Sequence, residues 1–464
     1  MKILHYSHDS LGLGHIRRTL AIVRRLAHDL PDTGQLVLTG SMQFGAYEWP
    51  PHVDCVKLPT LRKKTTGEYH SPHLHGSLEA VSALRESLIL STINHFNPDL
   101  VLVDKAPAGL NGEMMRALQC LKQERPQTLL VLGMRDIEDD SQTTRRDWAS
   151  GNIYPLLENI YDAILLYGVR EIFDPVTEYH LSPTIARKMY PCGYIFGADE
   201  RVVPAERLRG TLHIQTETER LVLVTAGGGS DGFQLIKTYL EMLASRPTPA
   251  PFHTLIVAGP QLEAVDYQVL ELYIAAMVTS RVTLKRFIPH LSSYLRFADL
   301  VVTMGGYNTV MEILGYGRRS IIVPRVSPRR EQLIRAERLA ARNLVRMIHP
   351  DELTPARLLA EMDAALEQGD VVAPAEMGLS MDGAEQASLI LAELLNTRAH
   401  TMKATSLACA EETGSNKNPS AVPAWERRKN RNRRRGDRAG EETSTVGETS
   451  IVGEISTVEE TSNE

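Results

Sequence analysis

The chain has 464 residues, is 43% hydrophobic and carries 51 Lys and Arg against 57 Asp and Glu, a net charge of −6. This is the composition of a globular protein with apolar material for more than one core. From Thr397 onward basic and acidic residues balance at 11 each, so the body carries 40 against 46; that mild acidity excludes a general nucleic-acid binder held by phosphate contacts. Four widely spaced cysteines (Cys55, Cys120, Cys192, Cys409), an N-terminus without the apolar core of a signal peptide and no run of ~20 apolar residues exclude disulfide scaffolds, secreted proteins and membrane channels. A cytoplasmic location is expected.

In chain order, short apolar runs alternate with segments of helical period. Residues 2–6 read as a strand entering a glycine-rich turn, Leu11-Gly12-Leu13-Gly14, and then a helix with Ile16, Leu20, Val23 and Leu26 on one face. Further strands are predicted at 35–39, 100–104, 128–133 and 163–167, with helices over 78–94 and 112–123. The pattern then restarts with a strand at 221–225, a glycine-rich turn at 226–232 and a helix at 233–243. Strands at 254–258, 282–287, 300–303 and 320–324 follow, and the helices between them start near Leu291, Asn308 and Arg330.

Strand–helix alternation of this kind implies an α/β fold with parallel sheets covered on both faces. Residues 191–211, rich in Gly, Pro and charge, read as a linker. The predicted organisation is therefore two doubly wound, Rossmann-like domains, 1–195 and 212–396, facing a cleft. Beyond about Asn396 the composition changes. Residues 425–438 hold eight Lys or Arg, 441–464 hold seven Glu and no Lys or Arg, and a Val-Gly-Glu unit recurs. Such a segment buries too little apolar surface to offset its chain entropy, so 397–464 is expected to be a disordered charged tail.

The glycine-rich turns suit phosphate, because each offers backbone N–H groups at a helix N-terminus. There is no P-loop sequence. Gly12-Leu13-Gly14-His15 lacks the third glycine of a dinucleotide fingerprint, and Gly227–Gly232 is not followed by the acid that would hold a nicotinamide ribose. Sugar-nucleotide signals stand in better order. Gly305-Gly306-Tyr307-Asn308-Thr309 follows a strand and opens a helix carrying Glu312, an acceptor for ribose hydroxyls. Glu331-Gln332 places a carboxylate beside an amide, which suits the neighbouring hydroxyls of a hexose.

These residues resemble a family. Arg286-Phe287-Ile288-Pro289-His290, Ala298–Gly306, Glu312, Pro324 and Glu331-Gln332 look like the C-terminal half of glycosyltransferase family 28. Gly228-Gly229-Ser230 resembles that family's first C-domain loop, and Gly12-Leu13-Gly14-His15 its N-domain glycine loop. The resemblance implies a GT-B fold with a nucleotide-sugar donor in the C-terminal domain and the acceptor against the N-terminal one. It also implies inverting transfer with no metal ion and no cofactor, the donor being a substrate. By position, Gly228, Gly229, Ser230, Gly305 and Gly306 would face the diphosphate, with Asn308 and Thr309 on the turn of the last two, and Gly12 and Gly14 of the N-domain loop are further donor-binding candidates. The backbone at Phe287-Ile288 would hold the base (UDP is expected), Glu312 the ribose and Glu331-Gln332 the sugar. The family's peptidoglycan enzyme has two glutamines at the last pair, so N-acetylglucosamine is not the sugar this sequence points to.

Inverting transfer needs a base for the acceptor hydroxyl. His15 is the candidate, with an ordinary pKa of ~6.5, and Asp104, at the end of its strand, is placed to orient the ring. Arg17, Arg18, Arg24 and Arg25 along the first helix, with Arg62-Lys63-Lys64, read as a solvated face or as a peripheral contact with anionic lipid at the inner face of the membrane, since relatives act on lipid-linked acceptors. Arg135-Asp136 is a further candidate for the acceptor side, and the acceptor itself is an unidentified hydroxyl. Residues 57–78, with Tyr69, His70, His73 and His75, are expected to form an acceptor-binding loop. Two rivals share the fold: a nucleotide-sugar hydrolase of the pseudaminic-acid-pathway type, which resembles the same glycine loops, and a non-catalytic nucleotide-sugar-binding protein.

Overall fold

The computed structural model describes all residues except 9–12, 43, 64–68, 198–201, 217, 247, 249, 278–280, 368–373 and 415–464. Residues 1–402 form one compact unit. Of the second, 403–464, the described part continues the last helix.

The N-terminal half is built on β1 (Lys2–Ser7), α1 (Leu13–Asp29), β2 (Gly34–Thr39), β3 (Val53–Lys57) and a small hairpin of β4 (Arg62–Lys63) and β5 (Tyr69–His70). It continues through α2 (Leu78–Phe96), β6 (Leu100–Asp104), α3 (Met115–Glu124), β7 (Leu129–Arg135), α4 (Ser141–Ser150), α5 (Ile153–Asn159) and β8 (Ala163–Tyr167). Two short helices, α6 (Pro175–Glu178) and α7 (Pro183–Arg187), precede β9 (Met189–Pro191). Seven strands form one parallel sheet in the order β3-β2-β1-β6-β7-β8-β9. Every residue of β6, β7 and β8 is buried, as the strands of a sheet covered on both faces must be. The apolar period of α1 is met, since Ile16, Leu20, Val23 and Leu26 are all at most 1% exposed.

The C-terminal half begins with α8 (Ala205–Leu212), which lies inside the expected linker. Then come β10 (Arg220–Thr225), α9 (Phe233–Ala244), β11 (Phe252–Val257), α10 (Ala264–Ala275), β12 (Val282–Lys285) and α11 (Leu291–Phe297). The remaining elements are β13 (Leu300–Thr303), α12 (Tyr307–Gly315), β14 (Arg319–Ile322), α13 (Glu331–Ala340), β15 (Arg346–Met347), α14 (Pro355–Glu367) and α15 (Gly383–Gly414). Six strands pair in parallel in the order β12-β11-β10-β13-β14-β15.

Each sheet reverses its strand order once, between β1 and β6 in the first and between β10 and β13 in the second. Ligand crevices of open α/β sheets lie at such points, beyond the C-terminal strand ends. His15 and Asp104 follow the first pair of strands, and the glycine turns at 227–229 and 305–306 follow the second. The expected two-sheet architecture is therefore present.

The halves are in direct contact. One apolar cluster joins Leu102, Leu165 and Tyr167 of the first sheet to Tyr307, Val310, Met311 and Leu314 of α12 and to Ala336 and Leu339 of α13. Helix α15, whose start falls in the range expected for the donor domain, places Ala387, Leu391 and Leu395 in that same cluster beside Ile3 and Leu129, and Glu385 pairs with Arg25 at 2.8 Å. The apolar period of a helix shows which face is buried, not which sheet buries it. Of the expected tail, residues 415–464 lie outside the described residues.

Candidate functional site

His15 stands on the first turn of α1, and β6, the neighbour of β1, ends at Asp104. His15 Nδ1 lies 2.7 Å from Asp104 Oδ2. On the same helix face, one turn on, Arg18 donates from Nε to Asp104 Oδ1 at 2.9 Å and from Nη2 to both carboxylate oxygens at 2.8 Å. Arg18 is 3% exposed and Asp104 4%. Such forked, charge-assisted bonds fix orientation as well as charge. Burial alone would raise the Asp104 carboxyl, but the Arg18 cation and the His15 bond outweigh it and hold it below the usual carboxylate range.

Burial pushes His15 the other way, down to about 4, against the pull of Asp104. Its charge change therefore lies well below the ordinary histidine value used in the sequence reading, and at neutral pH the ring is a free base. The Nδ1 contact to a carboxylate assigns the proton to Nδ1 and leaves Nε2 with its lone pair. His8, whose ring stands edge-on to His15 at 5.3 Å, is also held neutral, by burial first and then by the nearby His15 and Lys105.

Around this dyad stands a belt of charge. Lys105, in the left-handed region at φ 64°, is 3.6 Å from Glu138, and burial and then Arg135 lower its ammonium. Arg135 Nη2 is 2.7 Å from Glu331 Oε2 across the domain boundary. Burial would raise the Glu331 carboxyl, yet Arg135 and its cationic neighbours bring it down to about 2. Among the described residues, His8 Nδ1, Arg135 Nε and Glu138 Oε1 are buried without a hydrogen-bond partner.

On the facing side, Gly227, Gly228 and Ser230 are exposed, and Gly229 turns at φ 95° with its Cα packed against the 258–259 backbone. Gly305, at φ 84°, brings the backbone close to Ile322 and leads through Gly306 into α12. Asn308 and Thr309 follow on the first turn, half-buried. Phe287 is 47% exposed, an apolar surface available for stacking, with Ile288 half-buried beside it. Gln332 accepts the Arg325 backbone N–H at 3.1 Å.

A Cβ on Gly14 would lie 2.5 Å from Asn308 Nδ2, so α1 and α12 approach end to end. Glu312, read as a free acceptor for ribose, is 2% exposed and already bonded to Arg17 of α1 and to Ser292 Oγ, the latter at 2.9 Å. Gly12 lies outside the described residues.

The basic residues of α1 are engaged within the protein. Arg18 is buried on Asp104, Arg17 pairs with Glu312, Arg25 with Asp29 and Glu385, and Arg24 donates to the Glu48 carbonyl. Within 57–78, residues 64–68 lie outside the described residues, and His73 and His75 are exposed. Among the described residues no helix is long and apolar enough to cross a membrane. Sequence reasoning gave Arg18 no role at the dyad, passed over Lys105 and Glu138, and quoted Tyr307 in its glycine motif without giving it a role. The available signal for Arg18 was its spacing, three residues after His15 and so on the same helical face.

Comparison with known proteins agrees with this layout. The profile of the glycosyltransferase family 28 C-terminal domain matches residues 221–389. A UDP-N-acetylglucosamine–N-acetylmuramyl-(pentapeptide) pyrophosphoryl-undecaprenol N-acetylglucosamine transferase of Bdellovibrio bacteriovorus is 30% identical over 158 residues, 34% of this chain and 43% of that protein. The match thus spans less than half the length of that relative. An uncharacterized glycosyltransferase of Methanosarcina mazei is 22% identical over 68% of this chain and 77% of its own length. Among solved structures, the glycosyltransferase SnogD from Streptomyces nogalater superposes with a TM-score of 0.56 at 17% identity, covering 85% of this chain and 99% of that one. MurG of Acinetobacter baumannii does so with a TM-score of 0.53 at 10% identity, covering 84% and 99%. At these identities the structural likeness shows the fold, which is GT-B.

Proposed function

We propose that this chain, a glycosyltransferase family 28-like protein of GT-B fold, transfers a hexosyl group from a nucleotide-sugar to a hydroxyl acceptor with inversion. The observation that carries the reading is the His15–Asp104 dyad, at 2.7 Å, set on the turn that meets the Asn308 end of α12. A base and a phosphate-binding helix N-terminus on opposite walls are what a single displacement requires: one takes the hydroxyl proton, the other receives the leaving diphosphate.

In this reading Nε2 of His15 accepts the acceptor proton while Asp104, bonded to Nδ1, stabilises the imidazolium that forms. The bond from the anomeric carbon to the diphosphate oxygen breaks as the bond to the acceptor oxygen forms on the opposite face. Backbone N–H groups at 227–229 and 305–306 and the N-terminus of α12 receive the charge that develops on the leaving group, and no metal is assigned a part. Phe287 and Ile288 carry the base, which we take to be uracil, and Glu312 and Glu331-Gln332 bind ribose and sugar hydroxyls once freed from their arginines. The Bdellovibrio relative, whose name gives a pyrophosphoryl-undecaprenol acceptor, suggests a lipid-linked acceptor class.

The test is metal-free incubation with UDP-, GDP- and dTDP-sugars, with and without cell lipid extract, following nucleotide release by mass. Release that rises on adding extract is the expected result. Equal release without extract makes the chain a hydrolase, and no donor binding at all overturns the nucleotide-sugar reading.

A further inference from the structure

Arg18 lies beneath the dyad and is contacted from both domains. Its guanidinium carbon stands 5.6 Å from the ring centre of Tyr167, at the end of β8, and 5.5 Å from that of Tyr307, the first residue of α12. Tyr307 is itself fixed: its hydroxyl donates to the Tyr167 carbonyl at 3.0 Å and accepts the Ile195 N–H at 3.3 Å. Arg335 of α13 also stands over the Tyr307 ring, 5.4 Å from its centre. Arg335, fully buried, lies 3.7 Å from Asp136 of the first domain, which also accepts from Tyr194 Oη at 3.1 Å. A cation against an aromatic face is attracted to it, more strongly when both are shielded from water.

We propose that Arg18 is a positioning residue for the His15–Asp104 base and that Tyr307 holds Arg18 in place, so that the base is complete only when the donor domain is closed on the acceptor domain. This rests on the glycosyl-transfer reading for its meaning, not for its geometry. The chemistry is a charge balance. An ionised carboxylate bonded to an imidazole alone raises the ring's proton affinity, and a ring already protonated at the working pH cannot take the acceptor's proton. Arg18, by engaging both oxygens of Asp104, cancels that charge and leaves His15 neutral and oriented. The groups facing His15 are Asp104 from β6, Lys105 just beyond it, His8 after β1 and Arg18 from its own helix, with Arg135 from the end of β7 and Tyr307 from α12 next to Arg18. Arg18 both binds Asp104 and comes within 3.1 Å of His15 Nδ1. Because Tyr307 also opens the helix whose N-terminus faces the diphosphate position, donor seating and base positioning share one residue.

The test uses the whole chain labelled with 15N-histidine, with His15→Gln to assign the His15 ring signals, titrated from pH 4 to 8. In the wild type His15 stays neutral to below pH 5. Arg18→Met moves its midpoint upward by about one unit or more, and Arg18→Lys restores most of the wild-type behaviour. Tyr307→Leu moves it in the same direction by less, while Tyr307→Phe, which keeps the ring, leaves it unchanged. With a UDP-sugar that the wild type turns over, Arg18→Met and Tyr307→Leu lower kcat about tenfold or more with little change in KM. A His15 midpoint unmoved in Arg18→Met, or equal behaviour of Tyr307→Leu and Tyr307→Phe, overturns the proposal. A wild type without turnover on any donor refutes the glycosyl-transfer reading alone, since the ring titration is read without substrate.

Discussion

Arg135 Nη2 lies 2.7 Å from Glu331 Oε2, joining the end of a strand in the first sheet to the first residue of a helix in the second domain. Arg17 and Glu312 make the same kind of link from α1 to α12. Two carboxylates assigned to the donor are thus each held by an arginine of the opposite domain. On the proposed reading the donor's hydroxyls take over these carboxylates, and the arginines are released into the cleft beside the leaving phosphates.

Exchange of this kind makes donor affinity sensitive to the arginine. Arg17→Met frees Glu312 without removing it and is expected to tighten UDP-sugar binding about fivefold, the scale of a ~1 kcal/mol ion pair. Glu312→Ala is expected to weaken binding about tenfold or more. Isothermal titration calorimetry of both variants checks the pair, and weaker binding in Arg17→Met contradicts the exchange.

Acid should destabilise the fold in two separable stages. Burial lowers His5 and His15 to about 4 and holds His8 well below its ordinary value. Between the unfolded value of ~6.5 and 4 the unfolded chain binds more protons than the native one, so stability falls as pH falls, by about 1.4 kcal/mol per pH unit for each histidine in that window. Glu331 and Asp104 have lowered values, and their contribution is fully present above the ordinary carboxylate range and lost below it. Thermal melts at pH 7, 5.5 and 4.5 should therefore decline, and His5→Asn should flatten the first stage. A melting temperature constant from 7 to 4.5 would rule this out.

Gly229 is predicted to resist any side chain. Its φ of 95° is one that L residues rarely adopt, and an added Cβ would meet the Ala258 carbonyl, a backbone atom that has no room to move. Gly229→Ala should cost about 1–3 kcal/mol and abolish donor binding, both readable from a melt and a titration. Gly227→Ala, at φ 64° but with open space around its Cβ, should cost less.

In the first domain, Glu113 accepts from Arg85 Nε at 2.6 Å and from Tyr6 Oη at 2.7 Å, and Tyr6 Oη in turn accepts the Leu110 N–H at 2.8 Å. Arg85 is 1% exposed and Glu113 5%. Removing one member leaves a buried charge alone, so Arg85→Met should destabilise by about 3–5 kcal/mol. Arg85→Met with Glu113→Leu should recover part of that loss, and a double variant less stable than either single one would show the network to be worth more than its repulsive remnants.

Much of the architecture was readable from apolar period. Residues 2–6, 100–104 and 300–303 are strands because they are short, β-branched or leucine-rich and bounded by turns, and the glycine turn at 227–229 stands where the end of β10 demands it. The His15–Asp104 contact was legible for the same reason: parallel neighbours place their C-terminal ends side by side. What period cannot carry is partnership across domains. Nothing in the spacing of Arg17, Arg18 and Arg135 distinguishes a solvated cation from one buried on Asp104 or paired with Glu312 or Glu331. The return of α15 to the first sheet, and the short β3, β9 and β15, were missed because a two- to five-residue edge strand has too little pattern to separate from a loop.

The central claim is that His15 acts as the base of glycosyl transfer. The most direct measurement compares wild type and His15→Ala for nucleotide release from a UDP-sugar panel in the presence of lipid extract, with donor binding measured in parallel. The account predicts donor affinity within about twofold and release slowed by about 10²–10⁴-fold in the variant. Release undiminished in His15→Ala, with donor still bound, would contradict it.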